Sequence, residues 1–224
     1  MSERCILYVD GFNFYYAIKR QSSTIPIHLG WCDFGKLAQR LIEPGASVRS
    51  VKYFTAPVAE LGERGGVAGS VTARQAIWLD AVRTVPGIVV VEGFHRRGDD
   101  SSAPHASKKK REKKQTDVNI AVNLLVDAAK NACDRLLLIT ADQDQIPAVT
   151  AVRREFGKRV DVWLPPNEGS RVPLSWQAVA ANDGVRVRVI SAEMLMASRL
   201  PDRIETHGRV IEAPAIWRAP NRHK

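Results

Sequence analysis

The sequence predicts an α/β fold, a central and mainly parallel sheet covered by helices on both faces. Three observations predict it. Short apolar runs alternate with stretches of helical periodicity along most of the chain, which is the pattern of successive βαβ units. The two most apolar runs, Cys5 to Val9 and Leu136 to Ile139, lack the polar alternation of a half-exposed strand, as expected of strands covered on both sides. Breaker residues, among them Asp10-Gly11, Pro44-Gly45 and Gly157, punctuate the runs.

The elements follow in order. CILYV is a buried strand that ends in a turn at Asp10-Gly11, and Phe12 to Lys19 opens a helix with aromatic and aliphatic residues at helical spacing. Asp33 caps a second helix running to Leu41. Val48 to Thr55 reads as a strand, Val71 to Val82 as a helix with Ile77 and Trp78 inward, and Gly87 to Phe94 as a strand. The stretch 95–114 is polar, contains Gly, Pro and Ser, and ends in a basic run, so it reads as a long exposed loop. Thr116 is an N-cap candidate for a helix from Asp117 to Ala132, with Val118, Val122, Leu125 and Ala129 as its inward stripe. Leu136 to Ile139 is a strand, Gln145 to Phe156 a helix stopped by Gly157, and Val160 to Leu164 and Val185 to Ile190 are two more strands. Ser191 caps a last short helix. These elements form one domain over residues 1–199. Residues 200–224 lose the periodicity and read as an extended C-terminal tail with Trp217 available to dock on the body.

Composition narrows the function. Hydrophobic residues make up 45% of the 224, enough for a substantial core. The formal net charge of +9 points to a polyanionic partner. Cys5, Cys32 and Cys133 are scattered and form no CxxC pair, which argues against a disulfide framework or a zinc site and for a reducing, cytoplasmic setting. The N-terminus has too short an apolar run for a signal peptide, and no stretch approaches the ~20 apolar residues of a membrane helix. Nucleic acid is therefore the expected partner and a membrane is not. Monomer and homodimer are both compatible with the sequence.

In open α/β sheets, ligands gather at the carboxyl ends of the strands. Two of the most buried strands end in acids here: CILYV in Asp10, and LLLIT, through Ala141, in Asp142 and Asp144. Asp117 starts a helix whose preceding loop can reach the same edge. Carboxylates brought together repel and call for a cation, and an all-oxygen site suits Mg²⁺ or Mn²⁺. Taken singly, each acid is also explained as a turn former, a helix cap or a favourable charge at a helix start. The functional reading rests on the four together.

Three blocks carry a family resemblance: YVDGFNFYYAI, KKQTDVNIAVNLLVDAA and LLLITADQDQIPAV. Their order, spacing and strand or helix contexts resemble the NYN domain, a branch of the PIN-like nucleases, from about Ile6 to Leu164. The resemblance implies a PIN-like three-layer αβα sandwich and metal-dependent RNA hydrolysis. It implies Asp10, Asp117, Asp142 and Asp144 as metal-binding and catalytic residues. The family's motifs also place Asn13, Lys114 and Pro147. The sequence departs from the pattern at Thr140-Ala141, where Ser-Gly is usual, at Gln145, where an aromatic is common, and at Asn123, where many members carry Asp. Six residues along a helix turn about 120° away from Asp117, so a ligand role at position 123 is not expected.

Further residues are candidates for substrate contact. Asn13 can orient a metal-bound water or a phosphate, or serve only as a helix cap. Thr140 can hydrogen-bond a ligand carboxylate, or simply pack in its strand. Lys108, Lys109, Lys110, Arg111, Lys113 and Lys114 can track phosphates, or form a solvated charge run. Tyr15 and Tyr16 can stack on bases, one of them facing the core instead. His95 and His105 have no Cys or His partners for zinc. Asp99, Asp100 and Asp127 read as surface charge. An aspartate-phosphatase reading fails because Phe12 occupies the position of the second acid. The expectation is thus a metal-dependent ribonuclease. The alternatives are a non-catalytic RNA-binding module of the same fold and a phosphohydrolase of small nucleotides, the latter disfavoured by the basic loop.

Overall fold

A computed structural model describes residues 2–21, 23–57, 71–93, 115–206 and 208–220. Six parallel strands form the sheet: β1 (Arg4–Asp10), β2 (Ser47–Thr55), β3 (Ile88–Glu92), β4 (Arg135–Ile139), β5 (Arg159–Leu164) and β6 (Arg186–Val189), in the spatial order β3-β2-β1-β4-β5-β6. Helices α1 (Gly11–Arg20), α2 (Phe34–Leu41), α3 (Val71–Arg83), α4 (Thr116–Ala129), α5 (Ile146–Phe156), α6 (Leu174–Asp183) and α7 (Ala192–Ala197) flank it. This is the expected three-layer αβα sandwich.

The continuous apolar runs of the central strands serve two cores at once. In β1, Cys5, Leu7 and Val9 join Phe14, Ile18 and Trp78 on one face, whereas Ile6 and Tyr8 join Leu124, Val149 and Val152 on the other. Local signals work as read at several ends. The Asp33 carboxylate accepts a hydrogen bond from the Lys36 amide at 2.9 Å and caps α2, and Gly157 closes α5 in a left-handed conformation at φ 62°.

Several expectations need correction. The inward stripe of α4 is Ile120, Leu124 and Ala128, while Val118 and Val122 are 61% and 49% exposed. Both sets have helical spacing, so periodicity alone picks the wrong one of two apolar faces. Thr116 is the first residue of α4, not its cap; the cap position belongs to Gln115, which offers no side-chain hydrogen bond. The C-terminal segment is not extended. It forms an antiparallel hairpin, β7 (Arg203–Thr206) with β8 (Arg209–Glu212), followed by a 3-10 turn, Ala215–Trp217. Trp217 does dock, with its ring 5.8 Å from those of both Trp31 and Trp78.

Asp127 is also not a surface charge. It is buried, and its Oδ2 accepts hydrogen bonds from the Tyr8 hydroxyl and the Lys52 ammonium, each at 2.6 Å. Lys52 donates in addition to Asn123 Oδ1 at 2.9 Å. Replacing Asp127 by Asn leaves Lys52 without its counter-charge in a half-buried site. Urea unfolding of Asp127→Asn is expected to show a loss of about 2 kcal/mol, the usual scale for stripping a buried charged group of a partner. A midpoint equal to the parent's would restore the surface reading.

Candidate metal centre

The strand register assembles the site. Val9 of β1 stands beside Ile139 of β4, so the next residues, Asp10 and Thr140, leave the sheet together at its carboxyl edge. Asp10 is only 3% exposed and both its oxygens are engaged. Oδ1 caps α1 by accepting from the Asn13 amide at 3.0 Å, and Oδ2 accepts from the Thr140 hydroxyl at 3.0 Å. The Thr140 oxygen in turn accepts from the Asp142 amide at 3.0 Å, and Asn13 Oδ1 accepts from the Ala141 amide at 2.8 Å. Two side chains from the β1–α1 junction thus grip the loop after β4. That loop ends in a short 3-10 turn, Gln143–Gln145, capped by Asp142 Oδ1 accepting from the Asp144 amide at 3.0 Å.

Asp117 arrives from α4. Gln145, fully buried, donates from Nε2 to the Asp117 carbonyl at 3.1 Å and ties the start of α4 to the loop after β4. One carboxylate oxygen each from Asp10, Asp117 and Asp142 then lies within 4.8 Å of the others. Asp144 is exposed and outside that group. Burial pushes the Asp10 carboxyl up to about 6. The Asn13 amide and Thr140 hydroxyl pull it back, and the neighbouring Asp117 and Asp142 raise it again. Three carboxylates this close are an all-oxygen donor set fit for a hard divalent ion. Two buried polar atoms beside Asp117, Thr116 Oγ1 and Gln145 Oε1, have no hydrogen-bond partner among the described residues.

The NYN domain family model matches residues 4–179. The chain belongs to the NYN domain family. Its fold is nuclease-like, and the acid cluster lies where the three sequence blocks meet. Over 199 residues the NYN chain is 27% identical to 6-hydroxy-3-succinoylpyridine 3-monooxygenase of Pseudomonas putida, a match covering 75% of this chain and 61% of that protein. The chain thus spans less than two thirds of the length of that curated relative. A crystal structure of a protein of unknown function from Vibrio parahaemolyticus shares the fold with a TM-score of 0.55 at 19% identity, covering 85% of this chain and 94% of that one. Among the described residues, no helix is long and apolar enough to cross a membrane.

The other NYN-motif residues separate clearly. Thr140 is buried, donates to Asp10 and accepts from the Asp142 amide, which makes it a positioning residue for the acids. The Asn13 side chain holds the Ala141 amide and is not a cap. Asn123 points away from the acids, toward Lys52. Tyr15 packs edge-on against Trp217, whereas Tyr16 is 42% exposed. His95, Asp99, Asp100, His105 and the basic run Lys108, Lys109, Lys110, Arg111, Lys113 and Lys114 lie outside the described residues. Two positioning residues escape a reading by motif. Gln145 is a buried clamp on Asp117. Gly11 is required because a Cβ there would lie 2.5 Å from the Tyr53 ring and 2.7 Å from the Phe54 carbonyl. An uncharged Gln directly after an acidic turn was the available signal for the first, and Gly at a strand-to-helix junction for the second.

The raised Asp10 carboxyl gives a signed expectation. An acid whose folded value exceeds its ordinary 3.8 favours the fold when protonated. Metal-free stability contributed by this group is therefore present below pH about 4 and lost as pH rises through about 6, by roughly 3 kcal/mol. In EDTA, the stability of Asp10→Asn minus that of the parent should rise across this window, and Mn²⁺ should cancel the difference above it by restoring the parent alone. A difference flat with pH would show that Asp10 is not destabilised by its surroundings.

Proposed function

We propose that this NYN domain is a ribonuclease that hydrolyses phosphodiester bonds with a divalent ion, Mg²⁺ or Mn²⁺. The observation that carries the reading is the meeting of Asp10, Asp117 and Asp142, from three separate elements, within 4.8 Å in a nuclease-like fold. The donor set suits such an ion, which when bound would neutralise charge on a phosphodiester and acidify a water. Asp10, Asp117 and Asp142 would hold it, and exposed Asp144 would act at the outer rim. Thr140 and Asn13 keep the first and third of these carboxylates in register, and Gln145 does the same for Asp117. A net charge of +9 and the run Lys108 to Lys114 favour a polymer of phosphates as substrate. RNA in the cytoplasm is the proposed partner, bound by a monomer or a homodimer.

The likeness to a succinoylpyridine monooxygenase supports a second reading, oxygenation of a nitrogen heteroaromatic ring. That reading requires dioxygen and an electron donor and predicts no cleavage of RNA.

The deciding experiment incubates the full chain with single-stranded and structured RNA, with and without Mn²⁺, beside Asp142→Asn. The variant is nearly isosteric, so it should fold like the parent, lose more than about 100-fold in cleavage rate, and bind RNA as well or better because one repulsive charge is gone. Cleavage equal in parent and variant would place the chemistry elsewhere. No cleavage by the parent with any divalent ion, but retained binding, would make this a binding module. Replacing Lys108 to Arg111 by Ala should flatten the log–log salt dependence of RNA binding by up to about 0.7 per lost contact on single strands. An unchanged slope would reduce the run to a solvated segment.

A further inference from the structure

Next to the acid cluster, on the face of the sheet that carries α1 and α3, lies a surface cleft of about 90 Å³. Its walls are Phe12 and Tyr16 from α1, Tyr53 from β2, Arg74 and Trp78 from α3, and Trp217 from the C-terminal segment. The hydrolysis proposed above uses none of them. Gly11, the residue after Asp10, also lines the cleft, so cleft and acid cluster share the β1–α1 junction. The Asp10 charge acts on the buried Tyr53 hydroxyl, another measure of how close the two features are.

We propose that this cleft is a subsite for one unpaired base of the RNA strand whose phosphodiester lies at the acid cluster, a reading that rests on the ribonuclease proposal. Seven of the fifteen residues that line it are aromatic, and flat rings suit a heteroaromatic base better than an aliphatic chain. The volume is below the ~150 Å³ of a closed cavity that holds benzene, so the open cleft admits a single ring inserted in part, with the rest in the mouth. Arg74 also lines the cleft and adds a positive charge to its aromatic walls. The walls are fixed before any ligand arrives. Trp78 Nε1 donates to Tyr53 Oη at 2.9 Å, and the Trp217 carbonyl accepts from Arg199 at 2.6 Å. Tyr16, 42% exposed and stacked 6.5 Å from Phe12, stands at the rim as the platform a base reaches first.

The test measures binding in EDTA, where cleavage cannot contribute. Anisotropy titrations compare a short single-stranded RNA with an abasic strand of equal length, using the full-length parent, Tyr16→Ala and Tyr16→Trp. Tyr16→Ala should weaken binding of the base-bearing strand by roughly five- to 150-fold, the range set by base–aromatic stacking, and leave the abasic strand unchanged. Tyr16→Trp should restore the difference. Equal loss on both strands, or no loss on either, overturns the subsite. So does free 2-hydroxypyridine binding in a Tyr16-dependent way at least as tightly as the base-bearing strand. The two proposals fail separately. Base-selective, Tyr16-dependent binding without cleavage by any metal removes the nuclease and keeps the subsite, whereas cleavage with base-blind binding removes the subsite alone.

Discussion

The site depends on β1 and β4 lying side by side. From β1 the chain builds outward through β2 to β3, then returns across β1 and builds the other way through β4, β5 and β6. The helices that follow the two central strands leave on opposite sides: Phe14 and Ile18 of α1 pack in one core, and Val149 and Val152 of α5 in the other. This reversal of strand order puts the carboxyl ends of β1 and β4 at the place where ligands gather in open α/β sheets. The β1–β4 register then decides which residues face it. A slip by one position would carry the side chains of β1 to the wrong layers, so the two cores that demand Leu7 on one side and Tyr8 on the other also hold Asp10 beside Thr140.

The two edges of the sheet treat buried acids differently. At the amino edge, Asp161 lies between the guanidiniums of Arg135 and Arg186, at 2.6 and 2.8 Å. Its charge is matched inside the fold. At the carboxyl edge, Asp10 is as deeply buried but is held by an amide and a hydroxyl, with two further carboxylates as neighbours. Burial pushes the Asp10 carboxyl up to about 6 against the pull of those two hydrogen bonds, with Asp117 and Asp142 adding to the rise; burial also raises Asp161, where Arg135 pulls the other way. A fold that pairs Asp161 twice over has the means to pair Asp10 as well. Among the described residues no guanidinium pairs with Asp10, and a bound cation would supply a compensating charge.

The fold and the core of the site were legible because both are local or periodic. Apolar runs marked the buried strands, and a strand running straight into Asp10 or Asp142 placed those acids at the edge. Asp127 was misread because its two partners, Tyr8 and Lys52, lie over seventy positions away in sequence on β1 and β2. Tyr8 was hidden inside a run that reads as uniformly apolar. The stripe of α4 was misread because a helix with Val at 118, 122 and 126 and Ile, Leu and Ala at 120, 124 and 128 has two apolar faces. Only the position of the sheet chooses between them. The hairpin after Leu200 has four-residue strands, too short for a period to register.

The three carboxylates are not held with equal rigidity. Asp10 and Asp142 are fixed by the sheet, one as the last residue of β1 and the other through Thr140, immediately after β4. Asp117 is one residue into α4, past Gln115, whose φ of 96° is a left-handed conformation unfavourable for a residue with a side chain. A strained residue at a helix start persists only where the surroundings over-determine it. Gln145, reaching from the loop after β4 to the Asp117 carbonyl, is one such constraint. Gln145 therefore joins the third carboxylate to the first two. The strand register, with Thr140 and Asn13, holds Asp10 and the Asp142 loop together, and Gln145 ties the start of α4 to them.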